Sequence, residues 1–358
     1  MKKFYLILLC SFLTPALLVA QQDAPENVAQ SGGSQLSINS FARSSGVMGL
    51  DVSSTTGIEA SAVNPAGVAA GQGTELVFAH TLWMIGSEIR VNTFGFSQNL
   101  GSGGGALGLT VNAFSLGDFT RTTVDQTKGE LGTFSPTMLN IGVSYAKKFT
   151  DNIYVGTTVR VISEATPEAN AAGVAFDAGI QYRTGVEDRL KLGVSLRNVG
   201  PTMKYGGDGL GQRVSLNGND FLSGSSVPAA EYELPVALNL GVSYDIRLDK
   251  SNVISLMGSY ISNSTYYNQG GAGIEYRYKK YVSFRGAFLY ENGIFTDLNT
   301  IGGDRYTAFT GGAVGASFRV PLRKDQDEDK FSAFSLDTSY RFTNPFSGTL
   351  TVGASMTL

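Results

Sequence analysis

From residue 76 onward, much of the chain alternates between apolar side chains and polar or small ones. The segment 190–197 reads Leu-Lys-Leu-Gly-Val-Ser-Leu-Arg, and the segments 139–146, 238–246 and 350–358 alternate in the same way. Successive side chains of a β-strand point to opposite faces, so each of these segments predicts a strand with one apolar face. No segment shows a convincing helical period. The pattern therefore predicts an all-β protein.

Segments of this kind number about fourteen, and an even strand number is typical of bacterial membrane barrels. Most are about 10 to 14 residues long, which suits tilted strands that span a bilayer. We predict strands at 76–85, 88–100, 105–115, 137–149, 152–164, 171–184, 188–199, 235–246, 251–264, 268–279, 281–291, 309–322, 331–343 and 347–358. Together they predict a transmembrane antiparallel β-barrel over residues 76–358.

The lengths of the connections distinguish a membrane barrel from a soluble β-sandwich. Connections after even-numbered strands are short, at 101–104, 150–151, 185–187, 247–250, 280 and 323–330. The long connections, 116–136, 200–234 and 292–308, all follow odd-numbered strands. Outer-membrane barrels have short turns on one side and long loops on the other, whereas a sandwich has no reason to sort its loops in this way. If the first strand runs outward from the periplasm, the long loops lie outside the cell.

The N-terminal region predicts export. Residues 1–20 combine a positively charged start, an apolar run and a plausible cleavage site after Ala20, as a secretory signal peptide does. Cys10 raises a lipoprotein alternative, which we disfavour because this residue lies inside the apolar run. The run is also shorter than the ~20 residues that a transmembrane helix needs. We expect residues 21–40 to form a flexible lead-in on the periplasmic side.

The segment 41–75, which precedes the first predicted strand, is small, flexible and nearly uncharged. Its distinctive positions are glycines, one carboxylate and a proline turn: Gly46, Gly49, Asp51, Asn64, Pro65, Ala66 and Gly67. A proline restricts the residue before it, so Asn64-Pro65 marks a turn. One interpretation is a glycine-rich linker. The other is a hatch, a plug that folds into the mouth of a barrel.

Composition agrees with a barrel and excludes some partners. The formal net charge of −3 does not favour nucleic acid. The chain has 45 glycines, 16 tyrosines and 21 phenylalanines, which suits a β-protein with many turns and aromatic girdles. Aromatic residues near predicted strand ends, which are either girdle or ordinary core residues, are Tyr145, Phe149, Tyr276, Tyr278, Tyr281, Phe331, Phe334, Tyr340, Phe342 and Phe346.

Charged residues within the predicted strands fall largely on the polar face. They are Arg160, Asp177, Arg183, Lys191, Arg197, Asp245, Glu275, Arg277 and Arg285. Because a charge facing hydrocarbon is costly, we expect these side chains to face the lumen or to end at a rim. There they would satisfy one another and fill a narrow barrel.

Motifs for catalysis, cofactors and metals are weak. Gly103–Gly108 satisfies G-x-G-x-x-G, but a predicted strand follows it where dinucleotide binding needs a helix. The aspartates of 325–329 resemble the start of an EF-hand loop, but Lys330 replaces the required glycine. His80, the one histidine, has neither a nucleophile motif nor cysteine partners for zinc. We therefore expect no enzyme activity, no cofactor and no metal site.

A second distinctive stretch ends the seventh predicted strand. Asn198, Gly200 and Pro201 stand where the strand should stop and an outer loop should begin. This stretch and the hatch motif resemble the PorV/PorQ branch of the FadL-like outer-membrane barrels of Bacteroidota. With the strand count and the order of loop lengths, the resemblance covers nearly the whole chain after the leader.

The resemblance implies a non-enzymatic outer-membrane component of the type IX secretion system. A PorV-like barrel docks beside the translocon barrel and binds cargo proteins through their C-terminal β-domain. It then passes them to the complex that removes this domain and attaches the cargo to the cell surface. The implied partners are the translocon barrel, cargo proteins, outer-membrane lipids and attachment-complex proteins.

Transport is the alternative that the resemblance leaves open. FadL-like relatives pass small hydrophobic molecules through a lumen gated by the hatch, and Asn64–Gly67 would then move to open a path. An apolar cavity that leads to a gap in the wall would favour transport. A lumen blocked by the hatch and by side chains would favour docking. A structural barrel with some other partner is a third interpretation.

Overall fold

The computed structural model describes residues 31–101, 103–123, 125–128, 131–215, 222–226, 228–296, 307–322 and 332–358. The predicted signal peptide, the first part of the lead-in, Phe331 and the aspartates of 325–329 lie outside these residues. Fourteen of the described strands form one closed antiparallel barrel, as the sequence predicts.

The strands are numbered β1 to β20 along the chain. Those of the barrel are β1 (Thr74–Leu82), β2 (Arg90–Asn99), β3 (Ala106–Ser115), β6 (Thr137–Lys148), β7 (Ile153–Ala165), β8 (Asn170–Thr184), β9 (Leu190–Val199), β14 (Ala237–Arg247), β15 (Asn252–Asn263), β16 (Gln269–Tyr278), β17 (Val282–Glu291), β18 (Phe309–Pro321), β19 (Ala333–Thr343) and β20 (Thr349–Thr357). Every predicted strand is confirmed.

The last strand closes the barrel against the first. β20 pairs with β1 from Leu350 opposite Leu82 to Thr357 opposite Glu75. The backbone of Leu358 extends this ladder, because its N–H and its carbonyl both bond to Thr74, at 2.8 and 3.0 Å. Closure leaves no free edge in the wall, which is what a sheet needs in order to cross lipid.

The burial of the wall is inverted relative to a soluble protein. On β9, Leu192, Val194 and Leu196 are exposed on the outer surface, while Ser195 between them is buried. The same inversion follows from the alternation in the other strands, because their apolar positions point outward. An apolar outer surface around a polar interior is the arrangement of a barrel in a bilayer. Aromatic residues exposed near strand ends are Tyr145, Phe149, Tyr278, Tyr281, Phe334, Phe342 and Phe346.

The long connections share one end of the barrel, here called the loop end, and the short turns share the other, the turn end. Two long connections carry small hairpins that the sequence pattern does not predict. β4 (Phe119–Thr120) pairs with β5 (Thr133–Phe134). In the longest connection, β10 (Met203–Lys204) pairs with β13 (Glu231–Tyr232), and β11 (Gly211–Ser215) pairs with β12 (Leu222–Ser226).

The helices are short. Described 3-10 helices span Ser34–Ser37, Ile58–Ala62, Pro65–Ala70, Val186–Asp188 and Asp208–Leu210, and one α-helical turn spans Ala42–Ser45. None of the helices in the described ranges is long and apolar enough to cross a membrane.

The lead-in does not lie where the sequence placed it. Ser31 forms a parallel bridge with Glu233 of the longest connection, and the N–H of Gly32 donates to the carbonyl of Glu233 at 3.1 Å. Leu36 is buried against Leu234. The expectation of a flexible periplasmic lead-in is therefore wrong for residues 31–40, which pack at the loop end and not at the turn end. Burial of Leu36 gives a physical reason for this placement.

Candidate functional site in the barrel lumen

The hatch fills the middle of the lumen. Two apolar clusters hold it: Phe41 and Ile58 pack with Val77 of β1, while Val47, Met48 and Leu50 pack with Met257, Leu289 and Ala313 of the wall. The chain then leaves the lumen at the turn end, where β1 begins at Thr74.

Asn64 anchors the hatch to the wall. The residue is fully buried, and its Oδ1 caps the Pro65–Ala70 helix by accepting from the N–H of Ala66 at 3.2 Å. Its Nδ2 lies within hydrogen-bonding distance of three carbonyls, those of Val52 at 2.9 Å, Ile180 at 3.0 Å and Val194 at 3.3 Å. One side chain therefore ties the turn to the hatch and to two neighbouring strands.

Glycines on the inner face of the wall make room for this turn. A Cβ atom added to Gly156, Gly179 or Gly193 would stand 2.4 Å from Pro65 O, 2.0 Å from Asn64 Oδ1 and 2.5 Å from Val52 O, respectively. Real Cβ atoms do not approach other atoms so closely, so glycine alone permits the backbone contact. The small residues that alternate with apolar ones in the sequence thus form the seat of the hatch.

The other predicted hatch residues are also packed inside the barrel. A Cβ at Gly67 would lie 2.3 Å from Thr55 O, and one at Gly46 would lie 3.1 Å from the side chain of Arg285. Gly49 has a φ of +73°, a left-handed conformation that favours glycine. Asp51 is buried and accepts a hydrogen bond from Ser44 at 2.7 Å, while burial raises the pKa of its carboxyl.

Charged side chains of the strands pair inside the lumen, which confirms their expected orientation. Arg160 contacts Asp177 at 2.7 Å, Lys191 contacts Asp245 at 2.7 Å, and Arg285 contacts Glu275 at 3.1 Å; Arg277 lies near both Asp245 and Glu275. Pairing of this kind lets a narrow interior hold charge without bulk water.

The wall also supplies hydrogen-bond donors to the irregular backbone of the hatch. Gln181 Nε2 donates to Thr55 O at 3.0 Å, Ser195 Oγ donates to Val63 O at 2.7 Å, and Arg160 Nη2 donates to Ser61 O at 2.5 Å. Short helices leave many carbonyls without partners, and these donors satisfy them. The hatch and the wall therefore form one hydrogen-bonded unit.

The strand-end motif marks a bulge. Asn198 has a φ of +60°, and its N–H turns to donate to Asp177 Oδ1 at 2.7 Å, where the β8–β9 register shifts. Its Nδ2 donates to the carbonyl of Pro235 at 2.9 Å. A Cβ at Gly200 would stand 2.2 Å from Val174 O, so a larger residue does not fit. Pro201 follows outside the strand, and the motif directs the chain into the longest connection.

Two cavities flank the hatch. The loop-end cavity has a volume of about 380 Å³, and the turn-end cavity has one of about 300 Å³. Ser45, Met48 and Gly49 line the first, while Arg43 lines the second. The hatch segment 43–49 therefore separates the two cavities.

The loop-end cavity is amphipathic. Its apolar lining includes Met48, Trp83, Ile261, Leu289 and Phe309. Arg341 also lines it, with the guanidinium carbon 3.9 Å from the ring centroid of Phe309 and 6.0 Å from that of Trp83. Its Nε has no hydrogen-bond partner among the described residues. The carboxylate of Glu291 lines the cavity as well, so an apolar molecule with a polar end would match these walls.

The wall is irregular beside this cavity. Pairing of β17 with β18 stops at Phe288 opposite Gly312, although β17 continues to Glu291. The pairing of β18 with β19 shifts register between Phe309 and Ala313. Leu289 and Phe309 lie next to the point where the β17–β18 pairing ends, and both line the cavity.

The turn-end cavity is strongly basic. Its cationic lining residues are Arg43, Arg277, Lys279, Lys280, Arg285 and Arg319, and Glu75 is the one carboxylate among the described residues that line it. The described lining therefore gives this cavity a positive potential, which attracts anions.

The remaining candidate motifs form no chemical centre. His80 lies on the outer surface of β1 and its Nδ1 bonds to Asn92 Oδ1 at 2.8 Å. Gly103–Gly108 begins in the turn between β2 and β3. Within the described ranges, no group of three or more His, Cys, Asp or Glu side chains is placed to hold a metal ion.

Comparison with solved structures assigns the fold. The chain is similar to the CymD monoaromatic hydrocarbon channel, with a TM-score of 0.51 and 14% identity over 88% of this chain and 95% of that one. It is also similar to the deltaS2S3 mutant of the TodX monoaromatic hydrocarbon channel, with a TM-score of 0.53 and 13% identity over 88% and 97%. The fold is that of outer-membrane β-barrel proteins. Neither a protein-family model nor a curated protein matches the sequence.

Proposed function

We propose that this protein is a non-enzymatic outer-membrane channel, gated by its hatch, for small hydrophobic molecules. The observation that carries the proposal is the amphipathic loop-end cavity of about 380 Å³, whose apolar side chains lie beside the end of the ladder between β17 and β18. This volume lies within the range of small-molecule sites, roughly 300–1,000 Å³. The two similar structures are named monoaromatic hydrocarbon channels, which supports the same class of substrate.

The gate in this proposal is the segment 43–49, which separates the two cavities. Gly46 and Gly49 give this segment small side chains and conformational freedom. Asn64–Gly67 is a poorer candidate for movement than the sequence suggested, because Asn64 Nδ2 lies within hydrogen-bonding distance of three carbonyls. We therefore expect 64–67 to act as the anchor and 43–49 to move, with the apolar contacts of Val47 and Met48 opening as it does so.

Export and membrane location belong to the same proposal. Residues 1–20 have the features of a cleaved secretory signal, and the barrel presents an apolar outer surface. We place the chain in the outer membrane of a Gram-negative cell, with the loop end outside.

Uptake of toluene by Gram-negative cells that express the chain tests the proposal. We expect faster uptake than in cells with an empty vector. Leu289→Trp should lower this uptake by roughly fivefold, because the larger ring fills the loop-end cavity. Leu238→Trp is the matched control, because Leu238 is exposed on the outer surface. Uptake equal to that of the empty vector would contradict the proposal.

Docking in type IX secretion is the second candidate. The resemblance at the hatch and at Asn198–Pro201 supports it, as does a lumen in which hatch and wall are joined by hydrogen bonds. The β11–β12 hairpin offers strand edges to which a cargo β-domain could add a strand. The translocon barrel and attachment-complex proteins would be the other partners.

Affinity purification from membranes of the native cell tests this second candidate. A giant barrel and secreted proteins with a shared C-terminal domain should co-purify, and deletion of 206–226 should remove the cargo. If the deletion leaves cargo capture unchanged, the loop surface is not the docking site.

A further inference from the structure

A third cavity lies at the loop end of the barrel. This side cavity has a volume of about 730 Å³ and opens between residues 31–35 and the longest connection. β6, β7 and the turn between β15 and β16 complete its walls, through Met138, Glu164 and Thr265. None of the hatch residues in 41–75 lines it, and Ser34 is the one described residue that it shares with the loop-end cavity.

A buried carboxylate forms the floor of the side cavity. Glu164 is only 3% exposed, and its Oε1 accepts from Gln35 Nε2 at 2.7 Å. Its Oε2 accepts from the hydroxyls of Tyr205 and Tyr232, the latter at 3.0 Å. All three donors are neutral. Glu231 and Glu233 stand exposed at the rim, and no described lysine or arginine lines the cavity, so its charge is negative.

The two tyrosines place their rings beside this carboxylate. Their centroids are 5.7 Å apart with an interplanar angle of 35°. Burial, followed by the hydrogen bond to Glu164, raises the pKa of Tyr205 to about 12, and burial also raises the pKa of Tyr232. Both hydroxyls therefore stay protonated and neutral near pH 7. Neutral aromatic faces beside a carboxylate attract cations.

Two buried polar atoms of lining residues lack partners. Gln35 Oε1 and Thr265 Oγ1 have no hydrogen-bond partner among the described residues, and the two residues are 3% and 1% exposed. Buried polar atoms are rarely left unsatisfied, because each costs free energy. A ligand with several N–H donors would satisfy such acceptors.

We propose that the side cavity binds an organic cation with a primary ammonium or guanidinium group. The group lies beside the rings of Tyr205 and Tyr232, which contact each other, and pairs with Glu164. A metal ion does not suit this site, because no described carboxylates are grouped as metal ligands. A volume of about 730 Å³ leaves room for an organic body attached to the charged group.

Calorimetric titration of the full chain in detergent at pH 7 tests the proposal, with 2-phenylethylammonium as the probe and 2-phenylethanol as its neutral counterpart. We expect the ammonium to bind at least about tenfold more tightly than the alcohol. Glu164→Gln should weaken binding of the ammonium by about tenfold or more, because it removes the buried charge and keeps the shape.

Glu168→Gln is the matched control. Glu168 lies four positions away, does not line the cavity, and has a side chain that is 66% exposed. We expect its affinity to stay within about twofold of wild type. If Glu164→Gln does not fold, the exposed pair Glu231→Gln/Glu233→Gln replaces it and should weaken binding by about two- to fivefold.

Three results would overturn the proposal. They are equal affinity for the ammonium and the alcohol, unchanged affinity in both charge variants, and binding of calcium or methyl glucoside in place of the ammonium.

Discussion

Asn64 lies so close to Gly179 that a Cβ atom added to Gly179 would stand 2.0 Å from Asn64 Oδ1. The same asparagine directs Nδ2 toward the carbonyls of Ile180 and Val194, which face each other across β8 and β9. The glycine makes room and the asparagine makes the hydrogen bonds. This contact fixes where the hatch docks, because a residue larger than glycine at this inner position of the wall would collide with the hatch.

Gly179→Ala should release the hatch. The added methyl group overlaps Asn64 Oδ1, and overpacking of this kind typically costs about 1–3 kcal/mol. The hatch contains one trypsin site, at Arg43, so its release should speed cleavage there. We expect the first-order rate of cleavage after Arg43 to rise roughly tenfold, since 1.4 kcal/mol is a factor of ten in an opening equilibrium.

Gly286→Ala is the control for this substitution. Gly286 also lies in a barrel strand, but the nearest atom to an added Cβ is Ala313 O, at 3.8 Å. Cleavage after Arg43 should keep its wild-type rate. Equal rates in the two variants would show that the Asn64–Gly179 contact does not hold the hatch.

Substitutions of Asn64 separate its two roles. Asn64→Ala removes the helix cap and all bonds to the wall, at a cost of about 1–3 kcal/mol. Asn64→Asp keeps the cap but turns a carboxylate toward the carbonyls of Ile180 and Val194, so we expect it to be the less stable of the two. Melting in detergent, followed by trypsin cleavage after Arg43, should rank wild type above Asn64→Ala and Asn64→Asp last. An aspartate variant as stable as wild type would refute the donor role of Nδ2.

The wall could be predicted from the sequence because its determinants are local. Strand alternation depends on neighbours two positions apart, so Leu192, Ser195 and Leu196 reveal their faces without any knowledge of the fold. The order of short and long connections is likewise readable along the chain. Asn198 and Gly200 signal a strand end, although the bulge that Asn198 forms requires Asp177 from another strand.

The site depends on contacts that the sequence does not display. Glycines such as Gly179 and Gly193 look like ordinary small residues of a polar face until the hatch lies against them. The burial of Leu36 at the loop end depends on Leu234, far along the chain. The side cavity joins Gln35, Glu164 and residues of the longest connection in the same way. None of these partners follows from periodicity or local composition.

Glu59 should make the hatch sensitive to pH. Burial, followed by the charge of Asp337, raises the pKa of Glu59 from 4.5 to about 8; Glu75 acts in the same direction, while Arg43 and Arg285 oppose it. Its Oε2 has no hydrogen-bond partner among the described residues. A raised carboxyl pKa means that the folded state holds the proton, so stability is full below pH 4.5 and falls as the pH rises through 8.

Glu59→Gln should remove this dependence, because the amide carries no charge. At pH 8 we expect the variant to melt several degrees above wild type, a difference on the order of 1–3 kcal/mol. At pH 4, where both side chains are neutral, the two proteins should melt within about two degrees of each other. Melting scans in detergent at both values decide the matter, and a constant difference at both would rule out titration of Glu59.

The pair of Arg160 and Asp177 should be worth far more than the ion pairs on the surface. Both side chains are buried, and Arg160 Nε lies 2.7 Å from Asp177 Oδ2. Arg160 also donates to the hatch, and Asp177 accepts from the N–H of Asn198. Asp177→Asn keeps an acceptor for Asn198 but leaves the buried guanidinium without a countercharge, which typically costs about 3–5 kcal/mol. In contrast, Asp151→Asn breaks the surface pair between Lys148 and Asp151. The Asp151 side chain is 98% exposed, so this substitution should cost less than about 1 kcal/mol. Urea unfolding in detergent measures both differences, and similar losses in the two variants would mean that water reaches the Arg160–Asp177 pair through the hatch.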